Sequence, residues 1–393
     1  MKTNLIVVSK NKLIGVDAVL PVLMEIKNLY RQVQVIFVFI NDEQQEMIKQ
    51  NYNLWEAIET LRAKVYVLRT KNKLLTLGRF IKFFGQVLFS RNIFIKDVDA
   101  LPKHDFVMKL LRKVSKVREI KTFLTFNAPL CHEKLLIERT VLNQRRGRES
   151  TFDFFSGDYN YFLASLSAKQ FKHCYHVDPP EEKMVEVGYL RGLPQWQSFL
   201  SEAVRRNSVV NSEAYFLYVL CCEGKRLREF DEPELIELIR ESLLTFKKYN
   251  HKIKTVFKPH ALTNVPKIQR LLDEIGYTNY TIDYGHPMVL SWRAKFIFGN
   301  VFSSTMVDAY YLGKPVVEYC SYDPEIYDKL GRESYGGKIC DFFIPRNPQQ
   351  LEEVVGRLIE GQAAIERDRH FIQENFPATS DEFYSFWHNL LSS

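Results

Sequence analysis

The sequence has few of the features that define secreted, membrane or metal-binding proteins. It contains six cysteines in 393 residues, with no Cys-x-x-Cys pair and no recurring spacing. Cys221 and Cys222 are adjacent in an apolar run, which is typical of packed thiols in a reducing compartment. The N-terminal apolar run is too short for a signal peptide, and no segment is apolar enough to span a membrane. We therefore expect a cytoplasmic protein.

The sequence also lacks a Gly-x-Gly-x-x-Gly motif after its first predicted strand, which argues against an ordinary NAD enzyme. It does contain an alternation of strands and helices that begins at Asn4–Ser9, and this pattern is typical of parallel sheets with crossover helices. The composition resets at about residues 205–213, and 393 residues are enough for two domains. We predict two Rossmann-like domains, over 1–207 and 208–375, and a C-terminal helix within 376–393 that crosses back onto the first domain.

The chain has no strong excess of either charge. Its net charge is +7 and its isoelectric point is near 8.9. A mildly basic protein favours anionic partners such as nucleotide sugars, acidic glycans or anionic lipid surfaces, and no motif indicates nucleic acid. The segment Leu74–Phe89 is an aromatic helix with interspersed basic residues. We interpret it as a buried helix, and a helix on a membrane surface is the alternative.

A short polar turn separates a predicted strand, Lys295–Phe298, from a predicted helix, Thr305–Leu312. The start of this helix carries three hydroxyl residues, Ser303, Ser304 and Thr305. Hydroxyls and unpaired backbone N–H groups at a helix N-terminus make an anion site, and a phosphate fits there. The alternative is that Thr305 and Asp308 form a capping box that only starts the helix.

Polar residues also follow two other predicted strands of the second domain. Lys258-Pro259-His260 follows the strand at 253–257, and Asp231-Glu232 lies beyond the strand at 215–222. Sheets of this kind bind ligands outside the carboxyl ends of their strands, so these residues are candidates for the same site. Lys258 offers an ammonium group and His260 an N–H donor to a developing oxyanion.

Taken together, these motifs resemble the bacterial surface-polysaccharide glycosyltransferases, and in particular the transferases that use CMP-activated ulosonic acids such as Kdo and sialic acid. The resemblance is carried by Val256–His260 and Phe298–Tyr319, with additional support from Thr151–Asn160 and Gly188–Trp196. It implies an α/β protein with the GT-B fold, in which two Rossmann-like domains face a central cleft. It also implies transfer of an acidic sugar, Kdo from CMP-Kdo, onto a capsule or O-antigen polysaccharide.

The resemblance assigns donor-binding roles in the second domain, where Ser303–Thr305 and His260 bind the donor phosphate and Asp308 contacts the ribose. The candidate donor-binding residues are Lys258, His260, Ser303, Ser304, Thr305, Asp308, Glu318 and Arg226. In the family the pair after the second strand reads His-Pro, whereas here it reads Pro-His. For the acceptor we predict contacts with the basic cluster that includes Arg139 and Arg146.

The catalytic group depends on the stereochemistry of transfer, which spacing leaves open. A retaining reaction by double displacement requires a carboxylate nucleophile, for which Asp231 is the first candidate, with Glu232 and Glu223 behind it. An inverting reaction requires a general base on the acceptor side, for which Asp158 is the first candidate, with Glu133 and Asp178 behind it.

We predict no cofactor and no metal. The sequence Asp97-Val98-Asp99 matches the Asp-x-Asp metal motif of a different class of glycosyltransferase, but three-residue matches are frequent by chance. The alternatives are a UDP-sugar-dependent glycosyltransferase or non-hydrolysing UDP-sugar epimerase of the same fold, and a non-catalytic glycan-binding protein. The expected partners are a nucleotide sugar, a glycan or lipid-linked glycan acceptor, and the inner face of the inner membrane through peripheral association.

Overall fold

The computed structural model describes residues 3–9, 13–69, 72–97, 117–122, 158–162, 181–221, 232–322, 324–334 and 336–392. The described residues divide into two compact units. The first comprises 3–122, 158–199 and 373–392, and the second comprises 200–372. The chain thus changes unit between Phe199 and Leu200, and the composition change used for the predicted boundary lies just beyond, at 205–213.

The first unit is built on a parallel sheet. Its strands are β1 (Thr3–Ser9), β2 (Gln34–Asn41), β3 (Lys64–Arg69), β4 (Arg91–Asp97), β5 (Val117–Thr122), β6 (Tyr159–Phe162) and β7 (Met184–Glu186). Their order in the sheet is β3-β2-β1-β4-β5-β6-β7, and every described pair is parallel. The central strands are almost wholly apolar and buried, as expected for strands covered on both faces. This confirms the predicted Rossmann-like architecture.

The first helices cover this sheet. They are α1 (Leu13–Asp17), α2 (Leu20–Leu29), α3 (Asp42–Gln50), α4 (Tyr52–Thr60) and α5 (Lys73–Val87). The single helix that the sequence predicts over 43–63 is wrong, because Asn51 interrupts it. The Asn51 side chain accepts a hydrogen bond from the backbone N–H of Leu54 at 3.2 Å and so starts a second helix.

The second unit repeats the same sheet plan. Its strands are β8 (Tyr215–Val219), β9 (Lys254–Lys258), β10 (Tyr280–Ile282), β11 (Ile297–Gly299), β12 (Val316–Cys320) and β13 (Phe342–Pro345). They are parallel in the order β10-β9-β8-β11-β12-β13. The chain direction across the sheet reverses between β8 and β11, so this is the topological switch point.

Helices lie on both faces of the second sheet. The described helices that follow α5 in the chain are α6 (Pro194–Arg206), α7 (Ser208–Ser212), α8 (Glu232–Lys247), α9 (Val265–Ile275), α10 (Pro287–Ser291), α11 (Ser304–Tyr311), α12 (Pro324–Lys329), α13 (Pro348–Ile359), α14 (Arg369–Asn375) and α15 (Asp381–Ser392). Of these, α6 and α14 span a unit boundary and α15 lies in the first unit. Single turns of 3-10 helix occur at Glu181–Lys183, Leu190–Gly192 and Gly337–Ile339.

The alternation of side chains along β8 shows which helices cover which face. Tyr218 belongs to the apolar cluster that includes residues of α8, α9 and α13, and its ring lies 4.7 Å from that of Phe298. Tyr215 is an odd number of residues away and points to the other face. Its hydroxyl donates to the carbonyl oxygen of Leu290 in α10 at 2.7 Å. The face opposite the cluster is therefore covered by α10, which in turn contacts α11.

The C-terminal helix α15 belongs to the first unit. The Arg91 guanidinium donates to the carbonyl oxygen of Leu390 at 2.5 Å. The segment that precedes this helix, at Ala378 and Thr379, packs against Gly188. Gly188 has a φ of +76°. A Cβ at this glycine would lie 2.3 Å from the carbonyl oxygen of Ala378, so only glycine fits there. The segment before α15 therefore packs directly on the backbone of Gly188, where no side chain would fit.

Candidate functional site

The candidate site lies where the strands of the second sheet end. Val219, the last residue of β8, pairs with Lys258 of β9 on one side and with Gly299 of β11 on the other. The two polar segments that follow β9 and β11 therefore leave the sheet at the same level. They are separated by two strand spacings, or about 10 Å. This is the switch point between β8 and β11, where such sheets bind their ligands.

The segment after β11, residues 299–303, is called here the serine turn, and Asn300 holds it to the sheet. Asn300 is 1% exposed. Its amide nitrogen donates to the carbonyl oxygen of Tyr319 and to Ser242 Oγ, both at 3.0 Å, and its amide oxygen accepts from the Tyr218 hydroxyl. A buried amide with these partners is satisfied, so it fixes the turn without a desolvation penalty.

Glu318 of β12 holds the serine turn from the other side. Its carboxylate accepts from the backbone N–H of Phe302 at 2.8 Å, from Ser334 Oγ at 2.5 Å and from the Tyr322 hydroxyl. The side chain has no exposed surface, and this burial raises the pKa of Glu318 to about 7. The sequence predicts Glu318 as a donor-binding residue, whereas the contacts it makes support the turn.

The serine turn leads into α11, and Ser303 is the residue that caps this helix. Ser303 has extended φ and ψ of −138° and 161°, but its side chain makes no capping hydrogen bond. Its Oγ is shielded from solvent and has no hydrogen-bond partner among the described residues. The capping box based on Thr305 and Asp308 is wrong, because the helix begins at Ser304 and Thr305 lies in its first turn.

Two glycines allow the parts of the site to approach closely. A Cβ on Gly299 would lie 2.6 Å from Met306 Cε, so the missing side chain lets α11 pack onto the end of β11. A Cβ on Gly336 would lie 2.1 Å from a ring carbon of Phe302. Ser334, which donates to Glu318, accepts from the backbone N–H of Gly336 at 2.8 Å. The loop around residue 336 is therefore part of the support for the serine turn.

The loop after β9 is braced against the end of β8. Thr263 Oγ1 accepts from the backbone N–H of His260 at 3.0 Å and donates to the carbonyl oxygen of Cys221 at 2.9 Å. Lys258 is 7% exposed, and its ammonium group donates to the carbonyl oxygen of Pro259 at 3.0 Å. The ring of His260, an exposed residue, accepts at Nδ1 from the backbone N–H of Leu262 at 3.1 Å. The neutral ring therefore carries its proton on Nε2.

The structure thus brings Lys258, His260 and the serine turn to one edge of one sheet. Ser304 is exposed and Thr305 is half-buried in the first turn of α11. Asp308 is only 2% exposed, so its predicted contact with a ribose stays a prediction.

Other predicted residues lie elsewhere. Asp158 is half-buried and directly precedes β6, so it sits at the amino end of that strand in the first unit. Ligands bind at the opposite edge of such sheets, and this position does not fit an acceptor-side base.

Several predicted residues fall outside the described part of the chain. They are Asp231, Glu223, Arg226, Arg139, Arg146, Glu133, Asp178, Val98 and Asp99. Glu232 is the first residue of α8. Among the described residues, no three His, Cys, Asp or Glu side chains are grouped so that they could hold a metal ion.

Sequence reasoning missed the supports of the turn. From the sequence, Asn300 is predicted only as a residue of the short polar turn, and no pattern singles out Tyr322 or Ser334. Their partners are distant in the chain: Asn300 bonds to Ser242, 58 residues away, and Glu318 to Ser334, 16 residues away. Such pairs leave no local pattern in the sequence, since only the strand order brings them together.

No family model and no curated protein matches the chain. Its fold is nevertheless similar to solved structures. UDP-GlcNAc 2-epimerase from Methanocaldococcus jannaschii is 14% identical over 100% of both chains, with a TM-score of 0.55. The S. aureus MnaA–UDP co-structure is 11% identical over 100% of this chain and 98% of that one, with a TM-score of 0.53. Medicago truncatula UGT71G1 complexed with UDP-glucose is also 11% identical, over 100% of this chain and 98% of that one, with a TM-score of 0.53.

In the described part of the chain, no helix has both the length and the apolar character needed to cross a membrane. At 11–14% identity the likeness to the solved structures shows the fold alone. The two parallel sheets and these neighbours confirm the fold that the sequence predicts, and the chain has the GT-B fold.

Proposed function

We propose that the chain is a nucleotide-sugar-dependent glycosyltransferase that binds the phosphate of its donor at the N-terminus of α11. The observation that carries this proposal is the Ser303 hydroxyl, which is buried at the N-cap and forms no capping bond. A buried hydroxyl without a partner costs about 1–3 kcal/mol, and a phosphate oxygen would supply the missing partner. The solved structures of similar fold that carry UDP or UDP-glucose support a nucleotide sugar as the ligand.

The chemistry follows from the groups that meet at this edge. When the bond between the sugar and the phosphate breaks, negative charge develops on the departing phosphate. The unpaired N–H groups at the start of α11 stabilise that charge, together with the positive end of the helix dipole. Lys258 and His260 lie on the segment that follows β9, about 10 Å from the serine turn and on the other side of β8. From that position the Lys258 ammonium and the Nε2–H of His260 would approach the phosphate.

For the donor we propose CMP-Kdo, and for the acceptor a capsule or O-antigen polysaccharide or its lipid-linked precursor. This rests on the resemblance carried by Val256–His260 and Phe298–Tyr319. A CMP-sugar has a single phosphate, which one helix N-terminus can hold without a metal ion. Of the first candidates for the two stereochemical outcomes we favour Asp231 as a nucleophile, since the position of Asp158 at the amino end of β6 argues against its role as a base.

The donor is tested by thermal unfolding of the full chain with CMP, UDP and GDP. A nucleotide that binds only the folded state at 100 times its Kd adds about 2.7 kcal/mol to the free energy of unfolding. We expect CMP to raise the unfolding temperature most, and transfer from CMP-Kdo to continue in EDTA. Turnover of UDP-sugars alone would overturn the CMP assignment. If no nucleotide raises the unfolding temperature, the non-catalytic alternative is favoured instead.

The site is tested with Ser303→Ala. Loss of one hydrogen bond to a charged phosphate should weaken nucleotide binding at least tenfold, since such bonds contribute about 1.5–3 kcal/mol. His260→Ala should weaken it similarly. Ser208→Ala is the matched control, because Ser208 is exposed at the start of α7, before β8 and away from the carboxyl edge. If calorimetry gives equal affinities for Ser303→Ala and Ser208→Ala, the serine turn does not bind the phosphate.

A second candidate function is epimerisation of a UDP-sugar. It is favoured by the full-length match to the M. jannaschii UDP-GlcNAc 2-epimerase, which covers 100% of both chains. Incubation with UDP-GlcNAc and no acceptor, followed by NMR of the sugar ring protons, separates the two. An epimerised nucleotide sugar would establish this second function, and an unchanged spectrum alongside acceptor-dependent consumption of CMP-Kdo would exclude it.

A further inference from the structure

Helix α5 of the first unit buries only part of its apolar surface. Phe83 and Val87 are fully buried against the cluster that contains residues of β1, β2, β3 and β4. Phe80 and Phe84 are partly buried against the same cluster. Three leucine and isoleucine side chains instead face solvent, with Leu74 at 80%, Leu77 at 57% and Ile81 at 64% exposure. The interpretation of this helix as buried is therefore wrong for half of its surface.

The exposed residues form one continuous stripe. Leu74, Leu77, Ile81 and Leu88 recur at intervals of three, four and seven residues, which brings them to one side of a helix. Leu88 and Phe89, directly after the last turn, are 41% and 86% exposed and extend the stripe. Stripes of this length are rare on the surface of soluble monomers, and they mark interaction sites.

The surroundings of the stripe are strongly basic. Between Thr60 and Lys96 the sequence has nine lysines and arginines and no aspartate or glutamate. This segment carries more positive charge than the net +7 of the whole chain. On an ideal helix Lys73 and Lys82 lie on either side of the stripe. Beside α5, a surface depression of about 650 Å³ is lined by residues that include Lys64, Arg79 and Lys82.

Most of this positive charge is not neutralised by the described residues around it. Arg79 lies 3.6 Å from Asp42, an exposed carboxylate, and also donates to the carbonyl oxygen of Val67 at 3.3 Å. Lys64 donates to a neutral partner, the Gln86 side-chain oxygen, at 2.6 Å. Apolar side chains flanked by uncompensated cations are the pattern of helices that lie in the interface of an anionic membrane.

We propose that α5 docks the first unit onto an anionic phospholipid bilayer. Leu77, Ile81 and Phe89 enter the boundary between headgroups and acyl chains, while Lys73 and Lys82 contact headgroup phosphates. A second copy of the chain is a poorer occupant, since a symmetric contact would bring two such basic segments together. The inference is independent of the proposed donor and reaction, because a chain inactive on every nucleotide sugar would still bind the bilayer.

The test is co-sedimentation of the full chain with vesicles of phosphatidylcholine alone or with 30% phosphatidylglycerol. We expect binding only to the anionic vesicles, with at least tenfold weaker binding at 0.5 M NaCl than at 0.05 M because salt screens the attraction. The double variant Leu77→Ser/Ile81→Ser should bind at least tenfold more weakly at either salt concentration. Lys82→Glu should weaken binding about tenfold at low salt and much less at high salt.

Matched controls come from the second unit, where Leu244 and Leu262 are 48% and 46% exposed. Leu244→Ser/Leu262→Ser should bind vesicles like the unmodified chain. All of these side chains are exposed, and equal unfolding temperatures of the variants will show that folding is unchanged. Equal binding of the unmodified chain to both vesicle types, or equal binding of the two double variants, would overturn the proposal. So would a dimer in light scattering that only Leu77→Ser/Ile81→Ser abolishes.

Discussion

Two buried side chains, Asn300 and Glu318, determine the shape of the serine turn. Each replaces hydrogen bonds to water with hydrogen bonds from several separate elements. Asn300 is 1% exposed and Glu318 is 0% exposed, so neither side chain can contact a ligand in the described structure. Their importance at the scale of single residues is therefore the placement of backbone N–H groups and of Ser303.

The burial of Glu318 makes the second unit sensitive to pH. Its pKa is about 7 in the folded chain against an ordinary value of 4.5. The folded state therefore holds this proton more tightly than the unfolded state. The resulting stabilisation is complete below about pH 4.5 and is lost as the pH rises to about 7, a change of roughly 3 kcal/mol.

Glu318→Gln should remove this dependence, because a glutamine mimics the protonated acid and can donate to Ser334. We expect the variant to unfold at the same temperature as the unmodified chain at pH 5 and at a higher temperature at pH 8. Glu353→Gln, at an exposed position of α13, controls for loss of a charge. Its unfolding temperature should equal that of the unmodified chain at both pH values. Parallel pH profiles for the unmodified chain and Glu318→Gln would rule out a titrating Glu318.

Asn300→Ala should be among the more damaging single substitutions in the second unit. It leaves the buried Tyr218 hydroxyl, Ser242 and the Tyr319 carbonyl without their partner, at a cost of roughly 2–4 kcal/mol. Adding Tyr218→Phe removes one of the orphaned groups and should restore part of the loss in urea unfolding. A double variant as unstable as the sum of the two single variants would show that the hydroxyl and the amide do not interact.

At the scale of elements, the C-terminal end of α11 is held by Arg367. Its guanidinium pairs with Asp341 at 2.6 Å, donates to the carbonyl oxygens of Tyr310 and Lys314 at 3.0 and 2.5 Å, and lies 3.9 Å from the centre of the Tyr310 ring. Tyr310 lies in the last turn of α11 and Lys314 lies just beyond it, where backbone acceptors lack the i+4 partners of the helix interior. The sequence predicts a helix over 363–375, but residues 363–368 are irregular and supply this arginine.

Arg367→Lys should lower the free energy of unfolding by about 1–3 kcal/mol, because an ammonium group cannot make the planar fork of bonds or the ring contact. Arg357→Lys is the control, since Arg357 is an exposed partner of Glu353 at 3.9 Å and should change stability very little. Chemical denaturation measures both. If Arg367→Lys proves as stable as Arg357→Lys, the bonds to the end of α11 contribute no net stability.

Two glycines with equal space around them should respond in opposite directions to the same substitution. Gly78 lies in the exposed interior of α5 and Gly313 follows α11, and a Cβ at either meets nothing within 4 Å. Gly78→Ala should stabilise by about 0.5–1 kcal/mol because alanine favours the helix. Gly313→Ala should destabilise by about 1 kcal/mol, since its φ of +73° strains any other residue. Thermal unfolding that shifts the same way for both would contradict this account.

The elements that sequence reasoning identified are those with a strong apolar period or a clear cap. The sequence predicts β8 to β12 and the start of α9 at Val265 to within a few residues, because buried apolar runs alternate there with amphipathic helices, whereas it does not predict β13. The short strands β6 and β7 were missed, since three or four residues carry too little pattern. For the site, the position of the hydroxyls at α11 was readable from the sequence. The contacts of Asn300 and Glu318 were not, because tertiary packing alone brings the partners together.

At the scale of the whole molecule, the same strand order occurs twice. In both sheets the chain forms a central strand first, then two strands on one side of it, and then the strands on the other side. Each sheet therefore has one switch point, which lies beside β1 in the first sheet and beside β8 in the second. The residues that carry the proposed donor chemistry belong to the second switch point, and the basic helix α5 packs on β3 at the edge of the first sheet. The proposed donor binding and the proposed membrane docking should therefore respond to separate sets of substitutions.

The pairing of Val219 with both Lys258 and Gly299 has a consequence for protein engineering. Main-chain hydrogen bonds, rather than side chains, determine the distance between Lys258-Pro259-His260 and the serine turn. Strand spacing hardly varies among sheets, so a point substitution should not increase that distance to admit a donor bulkier than the one proposed. A library intended to change the nucleotide should therefore vary the residues that follow β8, β9 and β11 and leave the strands themselves untouched.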